Sequence, residues 1–261
     1  MKTNDTNLSL IDVTNPQPTA TQSSVVAGGK RYIRDSEPGP ANVQIVRDKN
    51  GGPLRTFNGG LSHENGWFAS RKARRLLHWE GVAQRDFLLR AEVEFNVVSM
   101  MSEPVRFEFN GPNGKEQYTA DVELLGSDGT RTIVEIKRDR RDLADPAYRA
   151  KLDRVRQICD ENRMQFRIVF RDDIWVSIVH RRNVTLFASR AFTTIRPEHL
   201  DRFDNHREMR GPKTSFAALA DVIDPVNRRY GEAIVQALTV ARRVKIDLTR
   251  PIFDATEITI H

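Results

Sequence analysis

Two apolar runs of period two, YTADVELL (118–125) and RTIVEIK (131–137), flank the turn-forming segment GSDGT (126–130), and this pattern commits the middle of the chain to a β-hairpin. Within the second run Glu135 and Lys137 lie two apart and so project from one face, while Val134 and Ile136 project from the other. Ionised groups are almost never fully buried unless paired or metal-bound, so the face that carries them is not ordinary core. The hairpin therefore presents Asp121 on its first strand and the Glu135, Lys137 pair on its second.

Two carboxylates beside an ammonium group suit hydrolysis of a phosphodiester assisted by a divalent cation. Hard cations such as Mg²⁺ take oxygen ligands, and metal-bound water is a far better nucleophile than bulk water. The competing reading is a solvated hairpin with a surface ion pair worth under ~1 kcal/mol. The three residues alone leave both open.

At 261 residues the chain is long enough for one sizeable core and a small second domain. Hydrophobic residues make up 39% and charged residues 29%, as in a soluble globular protein, and no stretch approaches the ~18 to 20 apolar residues that span a bilayer. The opening residues lack the basic region and continuous apolar run of a secretion signal, so no membrane association and a cytoplasmic location are expected. The single cysteine, Cys159, excludes an internal disulfide and a cysteine-based zinc site, and its helical context reads as core packing. A net charge of +6 carried mostly by arginine points to a polyanionic partner.

Along the chain, residues 1–40 read as a flexible tail, and VQIV (43–46) reads as one strand before a polar, Gly-rich stretch at 48–66. From Ser70 the spacing of Ala73, Leu76, Leu77, Val82, Ala83, Phe87, Leu88 and Ala91 predicts a helix. Strands follow at VEFNVVSMM, VRFEFN, YTADVELL, TIVEIKR and FRIVFR. Between the last two lies a helix opened by Asp145 as N-cap with Pro146 at its first position, its apolar stripe running through Tyr148, Leu152, Val155, Ile158 and Cys159. This is an α/β layer arrangement with a mixed sheet over 41–195. Residues 196–215 read as a linker, and 216–261 as two helices broken at Asp224 and Pro225, then two short strands. That C-terminal part is compatible with a small winged-helix-like module or with a packing extension of the main domain.

From Ser70 to the end, the pieces SRKARRLLHWEG, RDFLLRAEVEFNVVSMMSEPVRFEF, YTADVELLGSDGTRTIVEIKRDRRDL, FRIVF and the terminal VKIDLTRPIFDATEITI resemble the TnsA-type transposon endonucleases of the PD-(D/E)xK nuclease superfamily. The resemblance implies a restriction-endonuclease-like mixed sheet flanked by helices, and a C-terminal module that binds DNA or a partner. It implies Mg²⁺-dependent cleavage of the 5′ ends of a transposon, with Mn²⁺ as a substitute. The partners implied are transposon-end DNA, a DDE-type transposase subunit that acts on the 3′ ends, and an ATPase regulator.

Carried over by position, Asp121 and Glu135 resemble the metal ligands and Lys137 the catalytic lysine. Two positions depart from the family pattern: Ala120 stands where a proline usually precedes the aspartate, and Gln84 stands where the helix carries an acid. Glu80, one helical turn earlier, supplies the missing carboxylate in one reading, and Gln84 contributes a neutral oxygen in another. If neither serves, the chain is a catalytically weak DNA-binding and assembly subunit. Lys72, Arg74 and Arg75 on the first helix and Arg138, Arg140 and Arg141 after Lys137 are the expected DNA contacts. Glu92, Glu94 and Asp128 read as solvated, Glu123, which shares a strand face with Asp121, as solvent-facing or as supporting the site from behind, and His78 as a packing or capping residue. GPNGK and AGGK lack the spacing of a nucleotide-binding loop, so any ATP dependence belongs to a partner.

Overall fold

The computed structural model describes residues 43–54, 64–111 and 114–261, together with the backbone of two strands nearer the N-terminus. Those two, β1 (Gln22–Ala27) and β2 (Lys30–Asp35), pair antiparallel, and β2 pairs in turn with β3 (Gln44–Asp48), where the VQIV run places a strand. The flexible tail expected over 1–40 therefore contains a strand pair, and the rest of it lies outside the described residues.

A single helix from Ser70 to Ala91 does not form. β4 (Asn65–Ser70) and β5 (Arg75–Glu80) make an antiparallel hairpin, and α1 (Val82–Val93) starts only after Gly81 at φ 79°, a left-handed backbone that glycine tolerates. The hairpin wins because Glu92, buried on α1, fastens its turn. The carboxylate accepts from Ser70 Oγ and from the Arg71 N–H, each at 2.7 Å. Glu92 is thus not the solvated acid that sequence suggests, since its compensation comes from backbone and hydroxyl groups of a distant turn.

The strands β6 (Val97–Ser102), β7 (Val105–Gly111), β8 (Gly114–Thr119), β9 (Val122–Gly126) and β10 (Arg131–Lys137) follow. β9 and β10 form the expected hairpin only from Val122 on, with Val122 opposite Val134 and Glu123 opposite Ile133; the single strand expected over 118–125 is split, Tyr118 and Thr119 ending β8 in another sheet and Asp121 lying between the two strands. α2 (Pro146–Glu161) begins as its cap residues predict, the Asp145 carboxylate accepting from the Ala147 N–H, and leads to β11 (Met164–Phe170) parallel to β10. The sheet order β11-β10-β9-β6 is mixed, as expected. Alternation along β10 feeds two cores: Val134 meets Leu88 and Ala91 of α1, and Ile133 meets Leu152, Val155 and Ile158 of α2. The sheet is therefore covered by one helix on each face.

β7 and β8 belong to a second sheet of order β1-β2-β3-β7-β8. The chain changes sheets at Glu103 and Pro104 on the way out and at Ala120 and Asp121 on the way back. Glu103 turns the corner with a left-handed backbone, φ 48°, uncommon for a residue with a side chain, and its N–H donates to the Asp121 carbonyl at 2.9 Å.

The remaining elements are α3 (Ile178–Ser189), α4 (Pro197–Arg210), β12 (Lys213–Ser215), α5 (Phe216–Ile223), α6 (Arg228–Val240), β13 (Val244–Lys245) and β14 (Glu257–Ile260). The linker expected over 196–215 is mostly the helix α4. Its polar sequence hides a narrow buried edge of His199 and Phe203. α5 and α6 part where predicted, the Asp224 carboxylate accepting from the N–H groups of Val226 and Asn227. The strands order as β12-β14-β13. α6 is buried through Gly231 and from Ile234 to Val240, and its core is shared with Leu89 and Val93 of α1 and Val184 and Phe187 of α3. Among the described residues no helix is long and apolar enough to cross a membrane.

α5 and α6 approach so closely that a Cβ built on Gly231 would lie 2.2 Å from the Ala220 carbonyl oxygen. Gly231→Ala is expected to lower the unfolding free energy by about 1–3 kcal/mol, read from the midpoint of a urea titration. An unshifted midpoint would contradict this packing.

Candidate metal and phosphodiester site

Asp121 sits at the sheet changeover and is gripped from three sides. Its carbonyl accepts from Glu103 N–H at 2.9 Å and from Gln84 Nε2 at 3.2 Å, and its Oδ2 accepts from the Ile136 N–H at 2.7 Å. The last bond ties the carboxylate to β10 between Glu135 and Lys137.

Those two side chains share a face as the alternation predicts, with Lys137 Nζ 2.5 Å from Glu135 Oε1. Glu135 is 3% exposed and also accepts from the hydroxyls of Tyr118 at 2.5 Å and Tyr148 at 2.6 Å. The Lys137 ammonium lies 4.7 Å over the Tyr148 ring, a cation–π placement. Desolvation opposes the charge on Lys137, but the Glu135 carboxylate and the Tyr148 hydroxyl together outweigh it and the lysine pKa is raised. Burial, then Glu135 and Asp121, pushes the Tyr118 hydroxyl well above its ordinary value. Asp121 thus lies within electrostatic reach of the same cluster.

A cavity of about 480 Å³ opens at Asp121. Glu80 and Gln84 line it, as do Glu103, Ile136, Arg138 and Arg171. Its carboxylates are hard oxygen donors, a set that fits Mg²⁺, which one or two carboxylates hold while water fills the remaining positions. Among the described residues no three acids, histidines or cysteines come together into a group that could hold a metal ion. Glu135 and Lys137 are not among the residues that line this cavity, and the Asp121 carboxylate is joined to their strand through the Ile136 N–H.

Glu80 and Gln84 do not share a helical face. Glu80 ends β5 and is exposed, whereas Gln84 is buried in the first turn of α1 beyond the Gly81 break. Gln84 Oε1 accepts from the Glu80 N–H at 2.7 Å while its amide donates to Asp121, so it braces the helix start against the sheet corner.

Lys72, Arg74 and Arg75 stand on the β4–β5 turn and the start of β5, not on a helix. Lys72 Nζ donates to the Ala91 and Glu94 carbonyls at 2.9 and 2.6 Å, closing the C-terminus of α1, and burial lowers its pKa to about 7. Arg75 donates to the Gly51 carbonyl, and Arg74 is exposed. Arg138 reaches the cavity; Arg140 lies over the Phe170 ring and pairs with Asp173, and Arg141 pairs with Asp139.

Four residues of this region carry no sequence signal for the site. Tyr118 and Tyr148 read as strand and apolar-stripe residues, yet the hydroxyls of both reach Glu135. Glu103 and Arg171 carry no local motif, since only the sheet corner and the end of β11 bring them to the cavity. Glu123, expected to face solvent, is buried and takes a two-pronged ion pair from Arg47 at 2.7 and 2.9 Å, with Arg131 at 3.4 Å. Asp128 is exposed in its turn as expected, and His78 packs edge-on against Trp67. Cys159 lies in the core, its thiol pushed up by burial to about 12.

Gln84→Ala is expected to cost about 1–2 kcal/mol of unfolding free energy, because it strips two part-buried hydrogen bonds, while Glu80→Gln at an exposed site stays within about 0.5 kcal/mol. Paired urea titrations measure both, and equal losses would contradict the brace. A scan against protein-family models finds no match for this chain, and a search of curated proteins finds none.

Proposed function

We propose that this chain is a metal-dependent DNA endonuclease of the TnsA type, the subunit of a heteromeric transposase that cuts the 5′ ends of a transposon by Mg²⁺-assisted phosphodiester hydrolysis in the cytoplasm. The observation that carries the reading is the Asp121 carboxylate, bonded to β10 between Glu135 and Lys137, at the wall of an oxygen-lined cavity. A mixed sheet with α1 on one face and α2 on the other supports a restriction-endonuclease-like core. The C-terminal order helix, strand, helix, helix, strand, strand supports a winged-helix-like module. Its last helix, α6, is covered by α1 and α3, so the module does not read a major groove with that helix and is better suited to a protein partner.

Bound Mg²⁺ would supply Lewis acidity and an acidified water. Asp121 would hold the ion. Lys137, paired with Glu135, would neutralise negative charge that grows on the phosphate in the transition state. Arg138 and Arg171, exposed at the cavity, engage phosphates flanking the scissile bond. The DDE-type transposase acts on the other strand, and an ATPase regulator supplies any nucleotide dependence.

A second reading, a catalytically weak DNA-binding and assembly subunit, is favoured by one observation. Gln84, at the position of the family's helix acid, spends its side chain on structural hydrogen bonds.

With the transposase partner, transposon-end DNA and Mg²⁺ present, Asp121→Asn and Lys137→Met are each expected to lower 5′ nicking by about 10²-fold or more, with circular dichroism spectra unchanged. Undiminished cutting by either variant rejects the site. Glu80→Gln loses activity to the same degree if its carboxylate is a ligand and retains it if it is a bystander. A wild-type chain that joins the complex on DNA yet never nicks it establishes the second reading.

A further inference from the structure

The β4–β5 hairpin has one face in the core and one in the open. Phe68, Leu77 and Trp79 pack beneath it with Leu88 and Ala91 of α1. The pairs Asn65–Glu80, Trp67–His78 and Ala69–Leu76 lie on the other face, because alternate residues of a strand point the same way. There Trp67 keeps 60% of its surface and Leu76 59%, and Ala69 beside them is exposed. Single apolar side chains at a surface need no explanation, but this is a continuous strip around a fixed aromatic ring. His78 meets the Trp67 ring edge-on with centroids 5.3 Å apart, and Glu92 fastens the hairpin's turn, so the indole stands on a rigid support. The strip begins at the Asp121 cavity, which Glu64 and Glu80 line, and two residues of strand put the Trp67 row about 7 Å beyond the Glu80 row. Cations stand at both ends: Arg138 and Arg171 at the cavity, and the exposed Arg74 at the hairpin turn. An aromatic face between two basic ends is complementary to a nucleic-acid strand, whose phosphates take guanidinium groups while its bases stack.

We propose that Trp67 is a stacking platform for an unpaired base of the bound DNA, on a strand that runs from the Asp121 cavity along this face of the hairpin toward Arg74. The proposal rests on the nuclease reading and deepens it: the substrate presents at least one unstacked base close to the bond that is cut. A base inside a duplex has both faces covered by its neighbours, so the indole takes it only once it has left the stack. Stacking needs no pattern of hydrogen bonds, because every base has a flat face. Trp67 therefore selects for an opened strand and not for the identity of the base.

The test is binding by the full chain, read without cleavage in Mg²⁺-free, low-salt buffer. Two dye-labelled DNAs are titrated by fluorescence anisotropy: a duplex that ends in a short single-stranded overhang, and the same duplex fully paired. Trp67→Ala is expected to weaken binding of the overhang duplex about tenfold and of the paired duplex by less than about threefold, while Trp67→Phe, which keeps an aromatic face, stays within about threefold of wild type on both. Arg74→Gln is expected to weaken both DNAs alike and to lower the slope of log affinity against log salt by about one. Indole emission is expected to fall when wild type binds the overhang duplex and to stay level in Trp67→Phe, since Trp79 and Trp175 are half-buried against the core. Should Trp67→Ala not fold, this difference in emission decides. Overhang binding by Trp67→Ala equal to wild type, an equal loss on both DNAs, or the same emission change in wild type and Trp67→Phe overturns the proposal. So does a Trp67→Ala chain that binds DNA normally but no longer joins the transposase, which assigns the face to a protein partner. Nicking with the partner present is scored separately: a chain that stacks DNA on Trp67 yet never cuts tells against the nuclease reading alone, and one that cuts with no effect at Trp67 tells against the platform alone.

Discussion

The hydrogen bond from the Ile136 backbone N–H to the Asp121 carboxylate is the interaction on which the rest of the site depends. It joins the end of β10 to the point where the returning chain changes sheets. Such a bond contributes only about 1 kcal/mol to stability, but its effect on position is large. With the Asp121 carbonyl held by Glu103 and Gln84, the residue is fixed at both ends. The strained backbone of Glu103 is the local consequence of turning two paired segments through one corner, and it is tolerated because that corner is locked.

Three buried acids show how the same chemical group is put to different uses. Glu92 closes a hairpin turn, and Glu123 is neutralised by Arg47 and Arg131 and ties β9 to β3. Glu135 is neutralised by a lysine two residues away and shares its remaining capacity with two tyrosines. An unpaired carboxylate at any of these depths would cost several kcal/mol. What separates the third from the others is its cation: Arg47 is spent on a two-pronged clamp, whereas Lys137 is a compact charge next to the Asp121 tether.

Much of this was legible in the sequence where the signal is local. The β9–β10 hairpin, the shared face of Glu135 and Lys137, the Asp145 cap of α2 and the break at Asp224 follow from periodicity and punctuation within a few residues. Failures came where distant partners decide the outcome. Ala73, Leu76 and Leu77 fit a helical spacing, but Gly81 and the reach of Glu92 from α1 to the turn select a hairpin. Glu123 looked solvated because Arg47, which neutralises it, is 76 positions away. α4 looked like a linker because only a thin edge of it meets the core, and α3 passed unnoticed because His180 and Asn183 interrupt its apolar stripe.

Whether Asp121 anchors a divalent cation is read from anomalous diffraction of crystals soaked in Mn²⁺. A peak within about 2.3 Å of an Asp121 carboxylate oxygen, on the cavity side, is the expected result. A peak bound elsewhere, or none at Asp121 under saturating Mn²⁺, would contradict it.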